Sequence, residues 1–173
     1  TSGEYVTGPI QWIDEKARVM YFTANGREPG EDPYFTHLYR VNLDGTGLKL
    51  LDPGDASHSS TLSDNGKYFI NTYSQVNTAP KSELFDSTGL KLADLEQTDV
   101  TALTDAGFRF PEPFKVKADD GVTDLFGVMY KPFDFDPEKR YPIIAYVYPG
   151  PQTESVSKTF SPRSQSMTLA QLG

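Results

Sequence analysis

The chain has 173 residues, 37% of them hydrophobic and 13% aromatic, with a formal net charge of −8. That is apolar mass enough for a core, the dispersed acidic charge argues against nucleic acid, and no run approaches the ~20 apolar residues of a membrane span. The lack of cysteine excludes disulfides, thiolate metal sites and a Cys nucleophile, and fits either cytoplasm or periplasm.

In chain order, the first expected strand covers residues 9–13, followed by the turn Asp14-Glu15-Lys16 and a second strand over 18–23. A polar loop rich in Gly and Pro spans residues 25–33. Strands over 36–43 and 48–51 flank the turn Asp44-Gly45-Thr46-Gly47. The pattern then repeats: strands over 58–62 and 67–73 are joined through Asn65-Gly66, a pair suited to a tight hairpin. Strands over 81–85 and 90–95 are joined through Ser87-Thr88-Gly89. Four-stranded units of about 45–50 residues in tandem are the mark of β-propeller blades. A β-sandwich of eight strands would show the same spacing and stays open here. Residues 1–6 read as the tail of an earlier blade's last strand.

After Leu95 the character changes. Residues 99–106 are expected to form a short helix with Asp99 or Thr98 as N-cap and Gly107 as C-cap. Residues 108–114, rich in Pro and aromatics, read as a linker. Strands over 114–117 and 123–130 flank Asp119-Asp120-Gly121, a hairpin signal. Residues 143–147 are apolar and β-branched on both faces, as in the middle of a mixed or parallel sheet. That run stops at Tyr148-Pro149-Gly150-Pro151, and a helix begins over 168–172. The fold class is therefore mainly β: eight short strands over residues 1–97, as two propeller blades or one sandwich, a linker with a short helix over 98–113, and a further α/β part over 114–173.

Catalytic constellations are scarce. There is no Gly-x-Ser-x-Gly elbow, no phosphate-binding Gly-x-x-x-x-Gly-Lys and no paired-histidine helix, so neither cofactor nor metal is expected. His37 and His58 stand in no metal-ligand spacing and read as structural or surface residues. Ser57, Ser59 and Ser60 flank His58, but adjacency in sequence does not make a triad. Asp119 and Asp120 sit in turn chemistry. Tyr148 remains: a strand-end phenol is usually a packing residue, and its functional reading is a hydroxyl donor aimed at a developing oxyanion.

The run Tyr141-Pro142-Ile143-Ile144-Ala145-Tyr146-Val147-Tyr148-Pro149-Gly150-Pro151 resembles the first long hydrolase-domain strand of the prolyl oligopeptidase family, closest to its dipeptidyl peptidase IV branch. There a Tyr-x-Gly-Pro motif follows that strand. Gly127-Val128-Met129-Tyr130-Lys131-Pro132 and the later Lys139-Arg140-Tyr141-Pro142 fit the hairpin and lead-in before it. Upstream, Val19-Met20-Tyr21-Phe22-Thr23-Ala24-Asn25 and His37-Leu38-Tyr39-Arg40-Val41 are similar to the penultimate blade, and Ser63-Asp64-Asn65-Gly66-Lys67-Tyr68 to the opening hairpin of the last. The resemblance implies a β-propeller stacked on an α/β-hydrolase domain and a parent serine peptidase that releases N-terminal dipeptides, or tripeptides, after Pro or Ala. It also implies a peptide partner, an often dimeric parent and a periplasmic or secreted location. The Ser-Asp-His triad would fall beyond Gly173 and the glutamates that hold the substrate amino terminus before Thr1, so Glu28 and Glu31 are not assigned that role. One position carries over, Tyr148, as the family's oxyanion-hole hydroxyl; Pro149 departs from the usual Ala or Ser. By this reading the chain alone is inactive. The rival reading is a non-enzymatic β-propeller or β-sandwich binding module.

Overall fold

The computed structural model of the chain describes residues 3–148 and 155–172, with ten strands and two short helices among them. The chain divides into two compact units, Thr1–Gln75 with Pro80–Thr98, and Val76–Ala79 with Asp99–Gly173.

The first unit is built on two four-stranded sheets. One comprises β1 (Val6–Asp14), β2 (Val19–Asn25), β3 (Thr36–Asn42) and β4 (Lys49–Leu50). The other comprises β5 (Ser57–Leu62), β6 (Tyr68–Gln75), β7 (Thr78–Asp86) and β8 (Lys91–Gln97). In both, spatial order equals chain order. Each sheet is thus a meander that lends no strand to the other, as propeller blades do, whereas a Greek-key sandwich exchanges strands. Val6, expected in the tail of an earlier blade, instead opens β1 and pairs with Asn25.

The turns repeat with the sheets. Asp44 Oδ1 accepts Thr46 N–H at 2.9 Å between β3 and β4, and Asp86 Oδ1 accepts Thr88 N–H at 2.8 Å between β7 and β8. Hydrogen bonds from those threonines hold both carboxyls below the ordinary range. The expected hairpin at Asn65-Gly66 forms, with residues 63–67 between its strands. Ser63 pairs with Tyr68, and Gly66 (φ +64°) donates its N–H back to the Ser63 carbonyl at 2.8 Å. Gly66 is required on two counts, its left-handed backbone and the Trp12 indole, into which an added methyl would fall.

Alternation along the strands builds the core. Val19 and Tyr21 of β2, Leu38 of β3, Leu51, Phe69 of β6 and Phe85 of β7 form one buried cluster, with Trp12 and Leu62 against it. Its members come from both sheets, so this cluster is the seam between them. Phe69 and Phe85 stack with ring centroids 5.0 Å apart. The opposite face of the first sheet carries a second cluster of Phe22, Ala24, Tyr39 and Val41. β2 and β3 are therefore apolar on both faces, as inner strands with neighbours on each side must be.

In the second unit, β9 (Glu112–Lys117) and β10 (Asp124–Met129) form the expected hairpin, starting earlier than expected. Asp120 Oδ1 accepts the N–H groups of Val122 and Thr123, which confirms turn chemistry for that carboxylate. α1 (Thr101–Asp105) has Val100 at its N-cap position, neither Asp99 nor Thr98. Asp99 still contributes, since its Oδ1 accepts Thr101 N–H at 2.8 Å. Gly107 (φ +92°) terminates the helix: its N–H bonds Thr104 O and Phe108 N–H bonds Leu103 O, the Schellman arrangement. Phe108, expected in a linker, is buried and sits with Phe110, Phe133 and Phe160 at ring distances of 5.3–6.3 Å. α2 (Gln165–Ala170) starts earlier than expected because Ser164 Oγ accepts Met167 N–H and caps it.

One expectation is overturned. Residues 143–147 form no strand, and Ile143 is 90% exposed. An apolar run becomes a buried strand only when neighbours pair with it on both edges, and among the described residues none does.

Phe69→Ala is expected to cost about 3–5 kcal/mol by opening a cavity at the seam. Urea denaturation of the purified protein checks this; a loss under 1 kcal/mol would mean the two sheets do not share a core.

Candidate functional site

Antiparallel strands alternate direction, so β3 begins, β4 ends and β5 begins at the same end of the first unit. Residues far apart in sequence meet there. His37 lies at the start of β3, Asp52 in the connection after β4, His58 and Ser60 on β5, and Asn71 on β6. His37, Asp52, His58 and Asn71 are buried, Asp52 completely.

Asp52 is the hub. Its carboxylate accepts Leu38 N–H at 2.9 and 3.0 Å through its two oxygens, and Ser60 Oγ–H at 2.8 Å. Its Oδ1 also lies 3.4 Å from His37 Nδ1. That nitrogen donates to the Asp52 backbone oxygen at 3.2 Å, while Nε2 donates to Glu31 Oε2 at 2.8 Å. An imidazole facing acceptors from both nitrogens is an imidazolium. Burial, the largest single influence, would lower its pKa. The hydrogen bonds and charges of Asp52 and then Glu31 outweigh it and raise His37 from 6.5 to about 9.

His58 is held differently. Nε2 donates to the Gly54 carbonyl at 3.0 Å, and Nδ1 lies against the Asn71 side-chain amide, 2.9 Å from Nδ2 and 3.1 Å from Oδ1. Its ring lies 4.6 Å from that of His37 and stacks on Tyr73 at 5.2 Å. The reading of both histidines as structural or surface residues narrows to structural.

The ligand atoms of His37, Asp52 and His58 lie within 4.8 Å of one another, close enough to surround a metal ion. Every one of them already has a hydrogen-bond partner. A cation would have to displace the His37 proton and break those bonds, so the group as built holds a proton. Ser60 gives its hydroxyl hydrogen to Asp52, which makes it a support for the carboxylate. Glu31 holds His37, and Glu28 accepts the Tyr39 hydroxyl at 2.8 Å while pairing with Arg27 at 2.9 Å. Burial, and then Glu28, push the Tyr39 phenol above its usual range.

Tyr148 belongs to the second unit and ends the irregular run over 141–148, with 59% of its surface exposed. At the start of that run Tyr141 is anchored: its ring stacks on Phe135 at 5.1 Å and its hydroxyl accepts Asp136 N–H at 3.0 Å. Pro149, Gly150, Pro151 and Gln152 lie outside the described residues. The buried polar cluster escaped sequence reasoning because no spacing motif links residues 37, 52 and 58. The available signal was strand parity, which puts all three at one end.

Residues 1–80 match the family described as the dipeptidyl peptidase IV (DPP IV) N-terminal region. Dipeptidyl peptidase 8 of Mus musculus is 32% identical over 188 residues, covering 100% of this chain and 20% of that protein. Dipeptidyl peptidase 8 of Homo sapiens is 32% identical over 193 residues, again covering 100% and 20%. The crystal structure of Porphyromonas gingivalis dipeptidyl peptidase 4 superposes with a TM-score of 0.74 at 25% identity, covering 100% of this chain and 24% of that one. The chain thus spans about a fifth of the length of the curated relatives it matches.

Removing the hub is expected to be far costlier than removing a surface charge. Asp52→Ala strands the Leu38 N–H and the His37 charge and should cost about 3–5 kcal/mol. Asp94, exposed beside Lys81 and Lys91 at 2.7 and 2.9 Å, should cost far less as Ala, because solvent screens an exposed pair. Equal losses for the two variants in chemical denaturation would remove Asp52 from its place as hub.

Proposed function

Because the chain belongs to the dipeptidyl peptidase IV family, we propose that it is a segment of a serine exopeptidase releasing N-terminal dipeptides, or tripeptides, after Pro or Ala. The observation that carries this is the match to dipeptidyl peptidases across the whole chain, both sheets and the second unit included. In this reading the first unit supplies two propeller blades, and the second unit begins the α/β-hydrolase domain. The serine nucleophile, its histidine base and the orienting aspartate come from other residues of the parent. The parent works on peptides in the periplasm or outside the cell, as a homodimer.

Within this chain Tyr148 is assigned the oxyanion role. When a serine hydroxyl attacks a peptide carbonyl, the carbonyl oxygen becomes an anion, and a fixed O–H donor stabilises it more than it stabilises the ground state. The exposed phenol of Tyr148 is free of a burying pocket on its own unit, which suits a group that meets substrate. The irregular run behind it, anchored at Tyr141, gives it a defined place in the chain.

Tyr148→Phe in the full-length parent is expected to lower kcat by about 10²–10³-fold while leaving the folded spectrum intact. An unchanged kcat would return Tyr148 to a packing role. The isolated chain should not cleave a Gly-Pro or Ala-Pro chromogenic substrate, and measurable turnover by it would overturn the proposed division of catalytic groups.

A further inference from the structure

We propose that His37 is a pH-operated latch that fastens the 26–35 loop to the end of the first unit where its two sheets meet. The proposal rests on the geometry around one buried ring and is independent of the peptidase reading.

Four elements face that ring. The loop brings Glu31, 2.8 Å from Nε2. The connection after β4 brings Asp52, with its backbone oxygen at 3.2 Å and its Oδ1 at 3.4 Å. β5 brings the His58 ring at 4.6 Å, and β3 itself brings Tyr39 at 6.4 Å. Beyond Tyr39 lie Glu28, on its hydroxyl, and Arg27, over its ring at 5.4 Å. Two carboxylates thus meet one proton-bearing imidazole, whose charge adds to the hold on each.

Loss of the proton leaves a lone pair on one ring nitrogen, which must then face an acceptor. The two sides are unequal. Asp52 is wholly buried and pinned by Leu38 N–H and Ser60 Oγ–H, so it cannot leave. Glu31 keeps partial solvent access, with 18% of its side chain exposed, and sits in a loop. The neutral ring therefore keeps its hydrogen on Nδ1, toward Asp52, and releases Glu31 to water. Other ties of the loop include the Glu28–Tyr39 hydrogen bond, the Arg27–Tyr39 contact, the Asn25 Nδ2–H bond to Pro33 O at 3.0 Å and the buried Phe35 at its end.

The sign follows from the raised pKa of His37, about 9 against 6.5 for a free imidazole. The stabilisation is complete below about pH 6.5 and is lost as pH rises through about 9. The loop carries its own reporter, Arg27, after which trypsin cleaves faster once local opening offers it an extended segment.

The test is limited trypsin digestion of the full-length protein containing this chain, with mass spectrometry of the new terminus at Glu28. Rates are normalised at each pH to a denatured sample. In the native protein, cleavage should be slow and flat up to about pH 8 and then rise by up to about tenfold per pH unit around 9. His37→Gln should be cleaved rapidly at every pH. Glu31→Gln, which leaves the buried histidine and the seam in place, should move the rise to lower pH by a unit or more. If His37→Gln does not fold, the Glu31→Gln shift decides alone. A pH-independent rate in the native protein between pH 7 and 10, or a Glu31→Gln profile identical to the native one, overturns the proposal.

Discussion

A single carboxylate ties the two sheets together. Asp52 lies in the short connection between β4 and β5, where the chain leaves one sheet for the other. It is fully buried, and its oxygens reach a backbone N–H of β3 and a side chain of β5. A buried charge is tolerated only when such partners replace the water it has lost. The crossing point is thereby fixed to one geometry: if β5 shifted by one residue, Ser60 would swing to the other face and the carboxylate would lose a donor.

The apolar seam depends on that geometry. Leu51, next to Asp52, is buried in the cluster that joins Val19, Tyr21 and Leu38 to Phe69 and Phe85. The β7–β8 turn closes on the same residue, with the space beside Gly89 filled by Leu51. Two long-range hydrogen bonds bind that turn to the first sheet, from Tyr21 OH to Ser87 O at 3.3 Å and from Lys49 Nζ to Thr88 O at 2.6 Å. Burial supplies most of the cohesion, while the polar contacts select one way of stacking two similar sheets.

The second unit follows another logic. Its core is a group of phenylalanines around Phe108, and its hairpin has only two strands. A lone hairpin is marginal in water, so β9 and β10 depend on what packs against them. The run over 141–148 shows the same dependence in sharper form, with its apolar side chains exposed where sequence alone suggested a sheet interior.

What the sequence determined by itself was local: where strands run and where they turn. Alternation at Val19, Tyr21, Leu38 and Phe69, and the Asp-x-Thr-Gly order before Gly47 and the matching turn at Asp86, Thr88 and Gly89, are read off neighbouring residues. The resemblance to dipeptidyl peptidases was legible for the same reason, as a succession of short motifs. Missed were the cap of α1, the burial of Phe108 and the unpaired state of residues 143–147. Each depends on a neighbour that sequence spacing does not name. The His37–Asp52–His58 cluster was decided by tertiary structure alone. Only the alternating direction of successive strands brings residues 37, 52 and 58 to one end of the unit, and only the carboxylates of Asp52 and Glu31 met there, outweighing burial, turn an ordinary histidine into a held cation.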